Sequence, residues 1–264
     1  MSKNVSRVRR NKIETEVKPQ TKAKFLEVAK EIDVVAQATV PKFVPANANQ
    51  KLAVNMLVGG KSVVFLQGSA GTGKSMIAAW WAATQIKAKK VDKIYLVRAA
   101  VATGKSAGLL PGTEFEKLSP YFAQTLIHLG TFMGQGFLGY CLEKEKVELK
   151  SCEYLRGRSF EDAIVVVEES QNMTKEDLEM VLTRLGKNCT LLLTGDQKQN
   201  DLRGVSGLEQ TISLLNRVQD SQPDYLSDED LDEMDKNIGI VEFKPEDVVR
   251  SGITRAFVKM YYHN

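Results

Sequence analysis

The sequence is poor in sulfur and almost without imidazole, with three cysteines and two histidines among 264 residues. Cys141, Cys152 and Cys189 are odd in number and form no C-x-x-C pair, which argues against a disulfide framework and against a zinc or iron–sulfur site. Reduced, structural thiols are expected, in keeping with a reducing compartment. Long apolar runs are missing as well. The longest, Ala163 to Val167 and Thr190 to Leu193, are strand-sized and far below the ~20 residues of a membrane span. No apolar stretch follows the basic first residues, so the expectation is a protein without a secretory signal that stays in the cytoplasm. Internal repeats and low-complexity tracts are absent too.

What is present reads as globular, with 43% hydrophobic and 26% charged residues. The length suits one substantial core and is short for two. The net charge of +3 conceals an asymmetry. Between Lys3 and Lys24 eight Lys or Arg face two Glu, whereas Asp224 to Asp235 holds seven acids and no base. A basic arm can hold a polyanion by releasing counterions; an acidic run repels one. Both patterns also suit solvated tails and loops.

Residues 1–20 lack periodicity and read as a flexible basic arm. Residues 21–45 read as a docking helix, with Phe25, Val28, Ala29, Ile32 and Val35 on one face, followed by a linker bracketed by Pro41 and Pro45. A helix is expected over Asn49 to Val58. Beyond it, β-branched apolar runs at Ser62 to Leu66, Lys93 to Val97, Ala163 to Val167, Cys189 to Leu193 and Ile238 to Phe243 alternate with helical or irregular stretches. That alternation predicts an α/β fold, a parallel sheet covered by helices. The least regular stretch is Thr103 to Arg158, where a helix over Ser119 to Leu129 and a short strand near Val147 are expected.

Gly68, Ser69, Ala70, Gly71, Thr72, Gly73, Lys74 and Ser75 match G-x-x-x-x-G-K-[ST] between a strand and the helix Met76 to Ile86, the context this phosphate-binding motif requires. Glycines let successive backbone N–H groups turn onto phosphates, and the following helix points its positive end at them. Lys74 is expected at the β and γ oxygens of ATP, and the Ser75 hydroxyl on Mg²⁺. Chance produces such a match in roughly one chain per hundred of this length.

The apolar run Ala163 to Val167 ends in Glu168-Glu169-Ser170-Gln171, placing acids at the carboxyl end of a strand, where open α/β sheets hold ligands. Neighbouring side chains on a strand point to opposite faces, so the two acids divide their work. Glu168 is assigned to the metal and Glu169 to the general base that activates water. A third run ends in Thr194-Gly195-Asp196-Gln197-Lys198-Gln199, suited to sensing a γ-phosphate or orienting water, with Gln199 as the reaching side chain.

With these motifs, the chain resembles the PhoH family of ATPases, related to the core of superfamily 1 helicases. The resemblance runs from about Pro45 to Tyr261. It rests on Asn49-Gln50; on Leu96 to Val101 with Gly104 and the segment Gly108 to Gly112; on Tyr154 to Ser159; on Thr194-Gly195-Asp196 with Gln199; and on Phe243, Asp247 to Arg250 and Arg255. It implies a RecA-like P-loop domain over residues 46–264, with the sensor strand between the P-loop strand and the acidic strand. It further implies that Gln50 reads the adenine edge, that the chain assembles as a ring, often hexameric, and that its activity is linked to RNA or single-stranded nucleic acid. Two departures stand out. Glu168 replaces the family's usual Asp, lengthening the metal-side carboxylate by one methylene, and Arg98-Ala99 replaces Arg-Pro.

Hydrolysis of ATP needs a cation at the γ-phosphate in the transition state. Arg98, Arg156, Arg158, Arg184, Arg250 and Arg255 are the internal candidates. Arg250 and Arg255 are preferred because the resemblance places them in the closing block, and Arg158 is notable just before the acidic strand. A second core domain is lacking, so a neighbouring subunit is expected to supply the finger. Trp80 and Trp81 are expected to pack in the core rather than stack on bases. The leading expectation is ATP hydrolysis with Mg²⁺, coupled to binding or unwinding of single-stranded RNA or DNA. The alternatives are a small-molecule P-loop kinase and an ATP-binding switch with little hydrolysis.

Overall fold

A computed structural model describes residues 39–99, 113–157, 159–202, 204–250 and 252–262. The basic arm, the docking helix, Gly104, the segment Gly108 to Gly112 and Arg158 lie outside the described residues.

All five runs read as strands are strands, and all but the last extend at their carboxyl ends into the motif residues. They are β1 (Val63–Gly68), β2 (Lys93–Arg98), β4 (Ala163–Glu168), β5 (Cys189–Gly195) and β6 (Ile238–Phe243). The short strand near Val147 is β3 (Val147–Ser151). All five neighbouring pairs run parallel, in the order β3-β2-β4-β5-β1-β6. The sensor strand β5 thus lies between the P-loop strand β1 and the acidic strand β4, as the family resemblance implies.

Alternation along the strands divides the core into two layers, because successive side chains point to opposite faces. One face carries Val64, Leu66, Leu96, Ile164, Val166 and Leu192. It is covered by α1 (Ala48–Val58), α2 (Lys74–Lys87), α4 (Ala123–Met133) and α5 (Gln135–Glu143), which contribute Leu57, Ile77, Leu129 and Leu138. The other face carries Val63, Phe65, Val97, Val165, Val167 and Leu193 under α6 (Lys175–Leu182) and α7 (Gly207–Ser221). Burial on both faces explains why the central strands read as continuous apolar runs.

Within the irregular stretch, α3 (Glu114–Leu118) and a 3-10 turn at Ser119–Phe122, with Pro120 in its first turn, lead into α4. Helix α5 was not legible, because Gly134, Gly136 and Gly139 depress helix propensity there. The acidic run covers a turn and most of α8 (Asp228–Asn237); Ser227 and Asp230 make a capping box, and Asp228, Glu229 and Asp230 in the first turn favour the helix dipole. The last helix, α9 (Gly252–Tyr262), has no buried residue. Trp80 and Trp81 are partly buried against the first core layer, with Phe43 5.6 Å from Trp80 between ring centroids. Cys141, Cys152 and Cys189 are buried and free, and burial pushes their thiols up to about 11, 12 and 12. Among the described residues no helix is long and apolar enough to cross a membrane.

Candidate active site

The turn between β1 and α2 is fixed by backbone geometry. Gly68, Gly71 and Gly73 take φ of +118°, +77° and +90°, a region that side-chain-bearing residues rarely enter. At Gly68 the chain also passes β6 so closely that a Cβ would lie 1.9 Å from the Phe243 carbonyl oxygen. Ser69 N donates to that same oxygen at 3.1 Å. These positions leave a backbone-lined cradle at the amino end of α2, suited to phosphate. The Ser69 hydroxyl is buried beside it without a hydrogen-bond partner, a polar atom that a phosphate oxygen could satisfy.

Lys74 folds over the cradle, its Nζ donating to the carbonyls of Gly68 at 2.7 Å and Ser69 at 2.8 Å. Burial lowers its pKa to about 8, against the opposing pull of the Asp196 and Glu169 carboxylates. Three elements therefore converge on one ammonium: the P-loop, the end of β5 and the turn after β4.

The two glutamates have different surroundings: Glu168 is the last residue of β4 and Glu169 lies just past it. Glu168 closes β4 with the parity of Ile164 and Val166, so it lies on the face covered by α2 and α4. It is buried, and its Oε1 accepts a hydrogen bond from Thr125 Oγ1 of α4. Burial raises its pKa to about 7; the Arg98 guanidinium pulls the other way, and Glu169 adds to the rise. Glu169 sits in the left-handed region at φ +50°, unusual for a residue with a side chain, and its Oε2 accepts from Gln171 Nε2 at 2.6 Å.

Gln171 and Asp196 belong to the motifs but not to the candidate site residues, and both hold the site together. Gln171 is buried; its Oε1 accepts from Asp196 N at 3.0 Å and its Nε2 also donates to the Gln199 carbonyl at 3.3 Å. Asp196 is buried, with its pKa raised by burial, and accepts from Gln199 Nε2 at 2.8 Å and Lys198 N at 3.2 Å. Gln199 itself is exposed and reaches Asp196 first. The signal that could have found them is position: polar residues just beyond the buried strands β4 and β5, at the same end of the sheet as the P-loop.

Gln50, on α1, is buried beneath the P-loop. Its Nε2 donates to Thr72 O at 2.9 Å and its Oε1 accepts from Ala46 N at 2.8 Å. Contact with an adenine edge would require it to exchange one of these bonds. The closing segment docks on the same corner: Asn47 Nδ2 donates to Asp247 O, Asn49 Nδ2 to Asp247 Oδ2, and Val249 N to Gly71 O at 3.1 Å. Arg250 thereby lies against its own P-loop, with its Cγ, Cδ and Nε each 3.4 Å from where a Cβ on Gly71 would be. Arg255 lies on the exposed helix α9. Between that helix and the cradle a cleft of about 420 Å³ is lined by Ala70, Lys198, Gln199, Phe257 and Tyr261.

A nucleoside triphosphate fits this cradle and its lysine. Ser75 and Glu168 offer oxygen donors, the kind of ligand magnesium takes beside phosphate oxygens and waters. Among the described residues no group of three or more His, Cys, Asp or Glu could hold a metal by itself.

Residues 42–232 match the family model described as PhoH-like protein. Protein PhoH of Escherichia coli (strain K12) is 38% identical over 208 residues, covering 77% of this chain and 54% of that protein. The PhoH-like protein of Mycobacterium leprae is 34% identical over 82% of this chain and 58% of its own. That of Bacillus subtilis is 33% identical over 75% and 58%. The chain spans little more than half the length of these relatives. Among solved structures, the HK97 bacteriophage large terminase aligns with a TM-score of 0.47 and 11% identity, over 89% of this chain and 52% of that one.

Proposed function

The chain belongs to the PhoH-like protein family, and from that premise we propose that it hydrolyses ATP with Mg²⁺, in a cycle coupled to single-stranded RNA or DNA and run by an oligomeric ring, hexameric in its expected form. The observation that carries the hydrolytic reading is the convergence of Lys74, Asp196 and Glu169 at the mouth of a glycine-built cradle. Bound magnesium would supply charge neutralisation of the phosphate oxygens, held by Ser75 and Glu168. Lys74 leaves the Gly68 and Ser69 carbonyls to neutralise the β and γ oxygens. Glu169, oriented by Gln171, accepts the proton of the attacking water. Asp196 and Gln199 sense the γ-phosphate from the end of β5. Arg250 and Arg255 are the cations proposed for the transition state, the first against its own P-loop and the second on a face open to a neighbour.

Release of inorganic phosphate from ATP, measured with and without single-stranded RNA, tests the reading. Turnover to water with no acceptor added, stimulated by RNA or DNA, is expected. Tight ATP binding without phosphate release would leave the switch reading; ADP formation only in the presence of a hydroxyl acceptor, with the phosphate on the acceptor and none released, would leave the kinase reading.

A further inference from the structure

The P-loop is held from outside by its carbonyls. Gly71 O accepts from Val249 N at 3.1 Å, Thr72 O from Gln50 Nε2 at 2.9 Å, and Ser69 O from Thr72 Oγ1 at 2.8 Å. In a planar trans peptide the C=O and the following N–H point in opposite directions. A carbonyl drawn away from the cradle therefore turns the next N–H toward it: Val249 sets the N–H of Thr72, and Gln50 sets that of Gly73. The first hold comes from backbone. The second comes from a side chain and can be removed by substitution.

Gln50 is built into this position. It is 3% exposed, and Thr72 is fully buried. Asn47 caps α1 by accepting from Gln50 N at 2.8 Å, which places Gln50 in the first turn, and Ala46 N donates to Gln50 Oε1 at 2.8 Å. With the amide oxygen taken by an N–H, the amide nitrogen is the end that faces Thr72, and only that end can donate to a carbonyl. A Cβ on Gly73 would lie 2.7 Å from Nε2, so the amide rests directly against the turn it supports. Closing the first turn of α1 uses Oε1 alone and leaves the bond to Thr72 unaccounted for. Reading an adenine edge takes both ends of an amide at once. Here both ends are engaged within the chain, and the group is buried.

We propose that Gln50 is a positioning residue for the phosphates: it holds the Thr72 carbonyl so that the Gly73 N–H faces the anion, and it leaves the base unread. The inference rests on the nucleotide-binding reading above and deepens it, moving Gln50 from the base, where the family resemblance puts it, to the triphosphate. Support of this kind acts on bound phosphate in the ground and transition states alike, so its loss raises KM more than it lowers kcat. Every ligand that carries the phosphate chain loses the same factor, whatever base it bears.

Inorganic tripolyphosphate, which has no base, separates the two roles. Calorimetric titration of the full chain in Mg²⁺ with tripolyphosphate, a non-hydrolysable ATP analogue and the matching GTP analogue gives the affinities, and phosphate release from ATP gives KM and kcat. Gln50→Met, close in size and without an N–H donor, should weaken all three ligands by a common factor of roughly ten or more, the worth of one hydrogen bond to a charged group. KM for ATP should rise to match, and the ratio of ATP to GTP affinity should stay that of wild type. Gln50→Ala is expected to behave the same way, and thermal melts establish that each variant is folded. Loss confined to the adenine nucleotide, with tripolyphosphate bound as by wild type, overturns the proposal and returns Gln50 to the base. Wild-type affinity for all three ligands, or a fall in kcat with KM unchanged, overturns it as well. A wild type that binds ATP and tripolyphosphate but releases no phosphate removes the hydrolytic reading, and the affinities alone then decide the role of Gln50.

Discussion

The two halves of the sheet's carboxyl edge are built on different principles. At the end of β1 the work is done by backbone: three glycines at positive φ and a carbonyl of β6 pressed against Gly68. On β4 and β2 it is done by side chains that meet from distant segments: Glu168 with Thr125, Arg98 with Tyr121, Gln171 with Asp196. The glycine turn itself is contiguous in sequence, Gly68 to Gly73. The second half is assembled by folding and can be tuned residue by residue.

The largest effects are expected where the halves meet, at Lys74 and Glu169. Lys74→Ala should abolish both nucleotide binding and turnover, because the ammonium contacts phosphate in the ground state. Glu169→Gln should keep ATP binding and cut turnover by about 10²- to 10⁴-fold, the usual worth of a positioned general base. Phosphate release together with binding of a fluorescent ATP analogue reads both. Wild-type turnover in Glu169→Gln, with the loss confined to Glu168→Gln, would exchange the roles assigned to the two acids.

Gly68→Ala attacks the backbone half directly. Its Cβ would overlap the Phe243 carbonyl, and its φ would be strained as well. A loss of at least about 3 kcal/mol is expected, some hundred-fold in the folding equilibrium, read as a lower denaturant midpoint. Gly60, at φ +90° with open space around the absent Cβ, provides the comparison: alanine there meets the same backbone strain and no clash. Equal losses at the two positions would show that conformation, and not the approach of β6, dictates glycine at Gly68.

The same contrast decides what the sequence could disclose. The P-loop was legible because its chemistry lies in eight consecutive residues between a strand and a helix. The place of the sensor strand between the P-loop and acidic strands followed from the resemblance, and the strands themselves from β-branched runs buried on two faces. The partners of Glu168 were not legible. Thr125 is 43 residues upstream of it, in the stretch whose glycines and Pro120 blur helical periodicity, and its buried hydroxyl looks in sequence like any other threonine. Gln171 stood inside the quoted acidic box, yet its link to Asp196 spans 25 residues and two strands. Arg250 was legible as a candidate, whereas its contact with its own Gly71 depends on the docking of the closing segment through Asp247 and Val249.

Glu168 gives the side-chain half a pH signature. Its ordinary pKa of 4.5 rises to about 7 in the folded chain, chiefly through burial. The folded state then holds a proton that the unfolded state releases, so this contribution to stability is complete below pH 4.5 and is lost as pH rises through 7. Glu168→Gln removes the cost of the buried charge and still offers an acceptor to Thr125. Without nucleotide or metal, the variant should match wild type near pH 5 and exceed it by about 1–2 kcal/mol at pH 8, about ten-fold in the folding equilibrium. Denaturant midpoints across that range supply the check, and a gap independent of pH would mean that the carboxylate is not buried as described.

The smallest expected effect bears on whether the backbone half is complete within one chain. Arg250 packs on its own Gly71, whereas Arg255 projects from a helix with no buried residue. If a ring is the active unit, the two arginines should behave differently when subunits are mixed. Lys74→Ala subunits contribute intact arginines but a dead P-loop. Mixed with Arg255→Ala subunits, they can place a sound Arg255 across the interface from a sound Lys74, and turnover should recover a few-fold over either variant alone. Mixed with Arg250→Ala subunits they should recover nothing, because the missing cation belongs to the same chain as the working lysine. Recovery with Arg250→Ala would mean that this arginine leaves its own cradle for its neighbour's. No recovery with either, together with full turnover by a monomer at high dilution in sedimentation, would remove the ring from the mechanism and place the whole reaction on one sheet edge.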